Sequence, residues 1–102
     1  ERHPDVAYTT SDLAELIAAR GRFAEADSLH RRAVSIARET LEADNPYLAR
    51  ALHEHAKSLL RAGDTARARP LLVEALRIAE SAVGADHPFT RQIADRLEAT
   101  RR

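Results

Sequence analysis

Five histidines are the side chains of this sequence best suited to metal binding or proton transfer. The closest pair is His53 and His55, two positions apart. On a helix, residues two apart point about 200° away from each other, so this pair cannot share a metal ion. We expect His55 at a partly buried helix contact and His30 at the edge of the core, where it substitutes for an aromatic residue. No metal site is predicted.

Carboxylates are the second group that could do chemistry, as paired acids and bases. They would have to converge in a concave pocket, yet the candidates lie on different turns with no nucleophile or phosphate-binding loop nearby. These candidates are Asp12, Glu15, Glu54 and Asp95. The glycine-rich nucleotide-binding patterns and G-x-S-x-G are absent, and there is no cysteine nucleophile. The sequence therefore predicts no enzymatic activity and no cofactor.

The overall charge also narrows the class of partner. Sixteen basic and sixteen acidic residues cancel and are interleaved, so no strong field draws the chain to nucleic acid or to an anionic membrane. No apolar run approaches the roughly 18 to 20 residues of a membrane span. We expect a cytoplasmic protein that binds neither. The sequence contains no Met, which suggests a piece of a longer chain.

A repeat organises the elements that must position these side chains. The segment Gly21–Ala26 has its counterpart at Gly63–Ala68, 42 residues later, and three X-Pro pairs recur at the same spacing. Proline suits the first turn of a helix, and glycine suits the residue after its end. Together with the apolar spacing, these signals predict one all-α domain over residues 1–102. Its helices are expected at about 5–20, 23–41, 46–62, 65–83 and 88–100, with a kink at Pro70.

Small residues recur at identical phase in the two units. Closely approaching helices need alanine or glycine at their contacts, so these positions predict stacked helix pairs. The matched pairs are Ala14 with Ala56, Ala26 with Ala68, and Ala33 with Ala75.

With its turn glycine, following aromatic and spaced alanines, the pattern resembles the tetratricopeptide repeat. The residues that match are Ala14, Gly21, Phe23, Ala26 and Ala33 in the first unit, and Ala56, Gly63, Ala68 and Ala75 in the second. The 42-residue period is similar to that of the kinesin-light-chain type. The second unit departs from the pattern with His55 in place of Leu and Thr65 in place of the aromatic.

The resemblance implies an α-α superhelix, a solenoid of antiparallel helix pairs with two repeat units and a C-terminal capping helix. In each pair the first helix lines a concave groove, the second covers the outside, and the groove binds a peptide or a protein surface. The phase of the repeat then assigns side chains to the groove. The residues expected there are Tyr8, Ser11, Glu15 and Ala19 from the first unit, Arg50, His53, Lys57 and Arg61 from the second, and Gln92 and Asp95 beyond them.

Four of these side chains, from Arg50 to Arg61, form a basic strip, so an acidic or carboxylate-bearing peptide is the expected ligand. Some members of the family grip a chain terminus with Lys and Asn. Because Ser11 and Glu15 stand at the corresponding positions, we predict no binding of that type.

Two alternatives stay open at this point. The charged strip could be solvated surface without a ligand. The chain could also be a structural segment that forms homo-oligomers, because two repeats leave the first helix uncovered around Val6 and Tyr8.

Overall fold

A computed structural model describes residues 3–101, which form a stack of five α-helices. These are α1 (Pro4–Ala19), α2 (Phe23–Thr40), α3 (Pro46–Arg61), α4 (Thr65–Val83) and α5 (Pro88–Ala99). No helix end differs from the expected bound by more than one residue. Along this described stretch, no helix is long and apolar enough to cross a membrane.

The residue before each of the three prolines that begin a helix caps that helix. Asn45 Oδ1 accepts the Tyr47 N–H at 2.8 Å at the start of α3. His87 Nδ1 accepts the Phe89 N–H at 3.0 Å at the start of α5, and His3 caps α1 in the same way. In each case a side-chain atom of the cap residue accepts a backbone N–H of the first helical turn. Two of the five histidines are thus helix caps.

Glycine turns α1 back onto α2 and α3 back onto α4. Gly21 and Gly63 have φ angles of +80° and +85°, a conformation that residues with a Cβ rarely adopt. At the first turn the Gly21 N–H donates to the Ala18 carbonyl and the Arg22 N–H donates to the Ile17 carbonyl. The second turn repeats both bonds, which together form a Schellman motif.

Alanine contacts hold the pairs together. α1 packs on α2 and α3 on α4, and the pairs stack through contacts of α2 with α3 and of α4 with α5. All six matched alanines, Ala14, Ala26, Ala33, Ala56, Ala68 and Ala75, are fully buried. The fold is the expected all-α solenoid of antiparallel pairs. Small side chains such as those of alanine allow the helices of a pair to pack closely.

Pro70 lies inside α4, which continues through it to Val83. As the sequence predicted, the proline does not break the helix.

The two ends of the stack differ. At the C-terminal end α5 covers α4, where Arg69 Nε donates to Thr100 Oγ1 at 3.2 Å, and its outer residues Asp95 and Glu98 are charged. At the N-terminal end the outer face of α1 leaves Leu13 and Leu16 47% and 63% exposed. The C-terminal face is polar and the N-terminal face is apolar.

Candidate ligand groove

The first helices of the units, α1, α3 and α5, line one face of the stack. α1 contacts α3 directly. α5 reaches α3 through Phe89, whose ring lies 6.1 Å from that of His53, and through Arg96 Nε, which donates to His53 Nε2 at 3.1 Å. Side chains from three helices therefore meet on this face.

A cavity of about 340 Å³ lies where they meet. Its wall combines carboxylates, cations and one buried imidazole, and small and apolar residues complete it. The lining residues are Glu15, Ala18, His30, Glu54, Lys57, Ser58, Leu60, Arg61 and Arg96. Below it is called the groove cavity. Of the residues assigned to the groove from the sequence, the structure brings Glu15, Lys57 and Arg61 together here.

Two carboxyl groups, Glu15 and Glu54, are neighbours in this wall. The hydrogen bond to Glu54, together with burial, raises the pKa of Glu15 to about 7. Burial alone would raise the pKa of Glu54 as well, but the bond from Glu15 and the neighbouring Lys57 lower it instead. Lys57 Nζ lies 3.0 Å from Glu54 Oε1. Of the two, Glu15 therefore takes up a proton more readily than Glu54 as the pH falls.

His30 is the buried imidazole of the wall. It is 1% exposed, and neither ring nitrogen has a hydrogen-bond partner among the described residues. Burial lowers the pKa of His30 to about 4, and the nearby His55 adds to this effect. A neutral ring has one N–H donor and one acceptor, so this side chain keeps both functions free inside the protein. The sequence predicted His30 at the edge of the core, but the side chain is fully buried beneath the groove.

His53 is not on the groove surface, contrary to the expectation from the sequence. It is 2% exposed because Phe89 and Arg96 of α5 cover it. Burial and the adjacent Arg96 lower its pKa to about 4, so it accepts the Arg96 N–H as a neutral ring. His53 thereby orients Arg96, which the sequence did not single out.

Ser11 is also covered, at 3% exposure. Its hydroxyl faces Tyr47 on the next unit, where it lowers the pKa of Tyr47 against the larger, opposite effect of burial. Ser11 and His53 occupy equivalent positions in successive units, and each faces the first helix of the unit that follows. Asp95, the third member of this series, follows the same phase on α5, where no further helix of the described residues covers it.

Tyr8 and Arg50 lie at the other end of the groove, together with Tyr47 and Asp12. The Tyr8 ring meets that of Tyr47 edge to face, with centroids 4.1 Å apart. Both Tyr8 and Arg50 are exposed, so they extend the groove surface beyond the groove cavity.

A second polar cluster lies on the outer side, between α2, α3 and α4. Asp27 is its centre: His55 Nε2 donates to Oδ1 at 2.7 Å, and Arg67 Nη2 lies 3.1 and 3.2 Å from the two oxygens. Arg31 Nε lies 3.4 Å from Oδ2. Burial alone would raise the pKa of Asp27, but these donors outweigh it and lower the pKa. This set, Asp27, His55, Arg31 and Arg67, is called the outer cluster below.

The two histidines connect the groove to the outer cluster. The rings of His30 and His55 stack with centroids 5.4 Å apart and an interplanar angle of 13°. Burial lowers the pKa of His55 too, so it is a neutral donor to the Asp27 carboxylate. His55 is more buried than the partly buried contact expected from the sequence.

Arg96 and Glu54 could have been found from the repeat. Asp12, Glu54 and Arg96 are spaced 42 residues apart. Each directly follows one member of the series Ser11, His53 and Asp95 in the sequence. No signal in the sequence indicated that His30 would lack a partner, because this depends on the distances between three helices.

Among residues 3–101 no three His, Asp or Glu side chains are placed to hold a metal ion.

Comparisons with known proteins agree with this architecture. The sequence profile of a family described as tetratricopeptide repeat matches residues 5–81. A solved structure from Podosopora anserina, a putative kinesin light chain with nearly identical TPR-like repeats, superposes with a TM-score of 0.85 at 24% identity, over 98% of this chain and 47% of that one. A solved variant of that same protein, with one substitution, gives 0.84 at 24% identity, over 95% and 46%. The chain thus spans about half of each solved chain. No curated protein matches it.

Proposed function

Because the chain belongs to the tetratricopeptide repeat family, we propose that it is a protein-interaction module whose groove between α1, α3 and α5 binds an acidic peptide segment. The family is in general one of scaffolds for protein contacts. On this proposal the module acts by binding and catalyses no reaction, and its partner is a cytoplasmic protein. The balanced, interleaved charge argues against nucleic acid and membrane as partners.

The row of cations on α3 carries the proposal. Arg50, Lys57 and Arg61 follow a spacing that keeps them on one helical face, with Arg50 and Arg61 exposed to solvent. From Arg50 to Arg61 the helix rises about 16 Å, the length of roughly five residues of extended peptide. Arg96 adds a cation from α5. An acidic segment of this length would neutralise the row.

Selection from a displayed library of random peptides would test this function. We expect the selected peptides to be enriched in Asp and Glu, and Arg50→Glu or Lys57→Glu to weaken their binding at least tenfold at low salt, because like charges then face each other. The matched control is Arg32→Glu, a charge reversal at an exposed position of α2. Selected peptides that bind all three variants with unchanged affinity would remove the groove assignment.

A second function is favoured by the apolar end of the stack. Leu13 and Leu16 are exposed on the outer face of α1, where a further helix could pack. The candidate is a homo-oligomer in which two copies bury this face against each other.

Light scattering over a range of concentrations would test self-association. We expect a dimer that dissociates when Leu13 and Leu16 are both changed to Ser. Val73→Ser is the control, because Val73 is 49% exposed on α4, away from α1. A chain that stays monomeric at all concentrations would exclude this second function.

A further inference from the structure

The groove cavity differs from the rest of the groove because a buried polar side chain without a partner lines it. His30 is 1% exposed and its two ring nitrogens bond to no described residue. A buried donor without a partner destabilises the fold, so unpaired groups of this kind are rare in folded proteins. A ligand that enters the cavity and accepts a hydrogen bond would supply the missing partner.

The charges of the wall select the kind of ligand. Lys57, Arg61 and Arg96 contribute three positive charges. Glu15 and Glu54 oppose them with at most two negative charges. The empty cavity therefore carries a net positive charge, which disfavours a lysine or arginine side chain and favours an anion.

We propose that the groove cavity is the subsite for the side-chain carboxylate of one Asp or Glu residue of the partner. We expect the bound carboxylate to favour proton uptake onto Glu15. This inference rests on the proposed function and names the part of the partner that enters the groove. The carboxylate would pair with Arg61 and Arg96 and accept the N–H of His30.

The geometry of Arg96 supports this role. Its Nε is fixed by donation to His53 at 3.1 Å. A guanidinium held through Nε keeps its two terminal NH₂ groups free, and these can pair with a carboxylate through two parallel bonds. His53 is thus a positioning residue for Arg96, whereas His30 would contact the ligand itself.

The proton uptake follows from the groups that face Glu15. Glu54, Lys57 and Arg50 of α3 all change the pKa of Glu15. His30 of α2, Arg61 of α3 and Arg96 of α5 line the same cavity. A bound carboxylate adds a negative charge beside Glu15 and so raises its pKa further above about 7. Binding is then stronger at pH 6, where Glu15 is protonated, than at pH 8, where its charge repels the ligand.

The test uses a blocked glutamate, N-acetylglutamate N-methylamide, as the probe, with NMR detection of the side-chain carboxyl carbon of Glu15. We expect the probe to bind about tenfold more tightly at pH 6 than at pH 8 and to raise the titration midpoint of Glu15. In Glu15→Gln the affinity should be the same at both pH values and equal to that of the wild type at pH 6. The blocked glutamine analogue should not bind.

A further variant and a second probe test the two parts of the proposal separately. Arg61→Gln lies at an exposed position, so the protein should fold, and it should lose at least tenfold in affinity for the probe. Equal binding of N-acetylalanine, whose only carboxylate is terminal, would overturn the assignment to a side chain. A pH dependence that persists in Glu15→Gln would overturn the proton uptake.

The two proposals fail in different ways. Suppose that acidic peptides bind through Arg50, that the probe does not bind, and that Glu15→Gln leaves the peptide affinity unchanged. The subsite is then wrong and the function stands. If the probe binds as expected but no acidic peptide does, the subsite stands and the groove function is wrong.

Discussion

The outer cluster and the groove cavity are two polar sites built around one pair of stacked histidines, and they differ in how completely their groups are paired. In the outer cluster Asp27 accepts from His55 and Arg67, with Arg31 nearby. In the groove cavity His30 has no partner among the described residues, and Glu54 and burial raise the pKa of Glu15 to about 7.

We expect the paired site to contribute to stability and the unpaired site to contribute to ligand binding. A buried polar group that is fully paired helps to hold its helices in one arrangement, and the outer cluster joins α2, α3 and α4 in this way. A buried group without a partner costs stability and is retained where something else uses it. Changes at the two sites should therefore affect different measurements.

Loss of the outer cluster should have the largest effect on stability. We expect Asp27→Ala to lower the free energy of unfolding by about 2–3 kcal/mol, because His55 and Arg67 both lose a charged acceptor. Urea denaturation measures this change. Glu98→Ala, at an exposed position of α5, is the control and should change stability by less than about 0.5 kcal/mol. If the two variants were equally stable, the outer cluster would not be a structural contact.

The stacked histidines offer the sharpest contrast. His55→Leu should cost about 1–3 kcal/mol, because it leaves the Asp27 carboxylate without its shortest bond. His30→Leu removes an unpaired polar group at similar volume and should leave stability unchanged or slightly higher. Thermal unfolding of both variants checks the pair. A loss as large for His30→Leu as for His55→Leu would show that His30 has a partner within the fold.

The pH dependence of stability should separate the groups further. The pKa of His30 falls from 6.5 to about 4 on folding, so the unfolded chain binds more protons between these values and stability is lost as the pH falls through them. Glu15 acts in the opposite sense. Its pKa rises from 4.5 to about 7, so the folded chain binds more protons there and stability is gained as the pH falls.

Urea denaturation at pH 6.5 and 4.5 would measure both effects. Compared with the wild type, His30→Leu should lose less stability over this interval and Glu15→Gln should lose more. Changes in the same direction in both variants would contradict the assigned protonation states.

The helices and their order could be predicted from the sequence because their signals are local. Gly21 and Gly63 mark turns through their own backbone freedom, and the matched alanines mark contacts through size alone. The groove was only partly predictable. Glu15, Lys57 and Arg61 follow from helical phase, but whether a groove residue is exposed depends on the next unit.

Ser11 and His53 illustrate this limit. Both have the phase of groove residues, yet Tyr47 engages Ser11, and Phe89 and Arg96 cover His53. The 42-residue repeat shows which positions of the two units are equivalent. It does not show whether the following helix covers the series of Ser11 and His53 or the series of Asp12 and Glu54. The pairing of His30, His55 and Asp27 depends on side chains from α2 and α3 and has no signature in either helix alone.

Chemical-shift mapping with an acidic peptide selected on the protein tests the groove most directly. We expect perturbed amide signals along α1, α3 and α5, centred on Glu15, Lys57 and Arg96, with the exposed faces of α2 and α4 unchanged. Perturbations centred on Asp27 and Arg67, or on the outer face of α1 around Leu16, would contradict it.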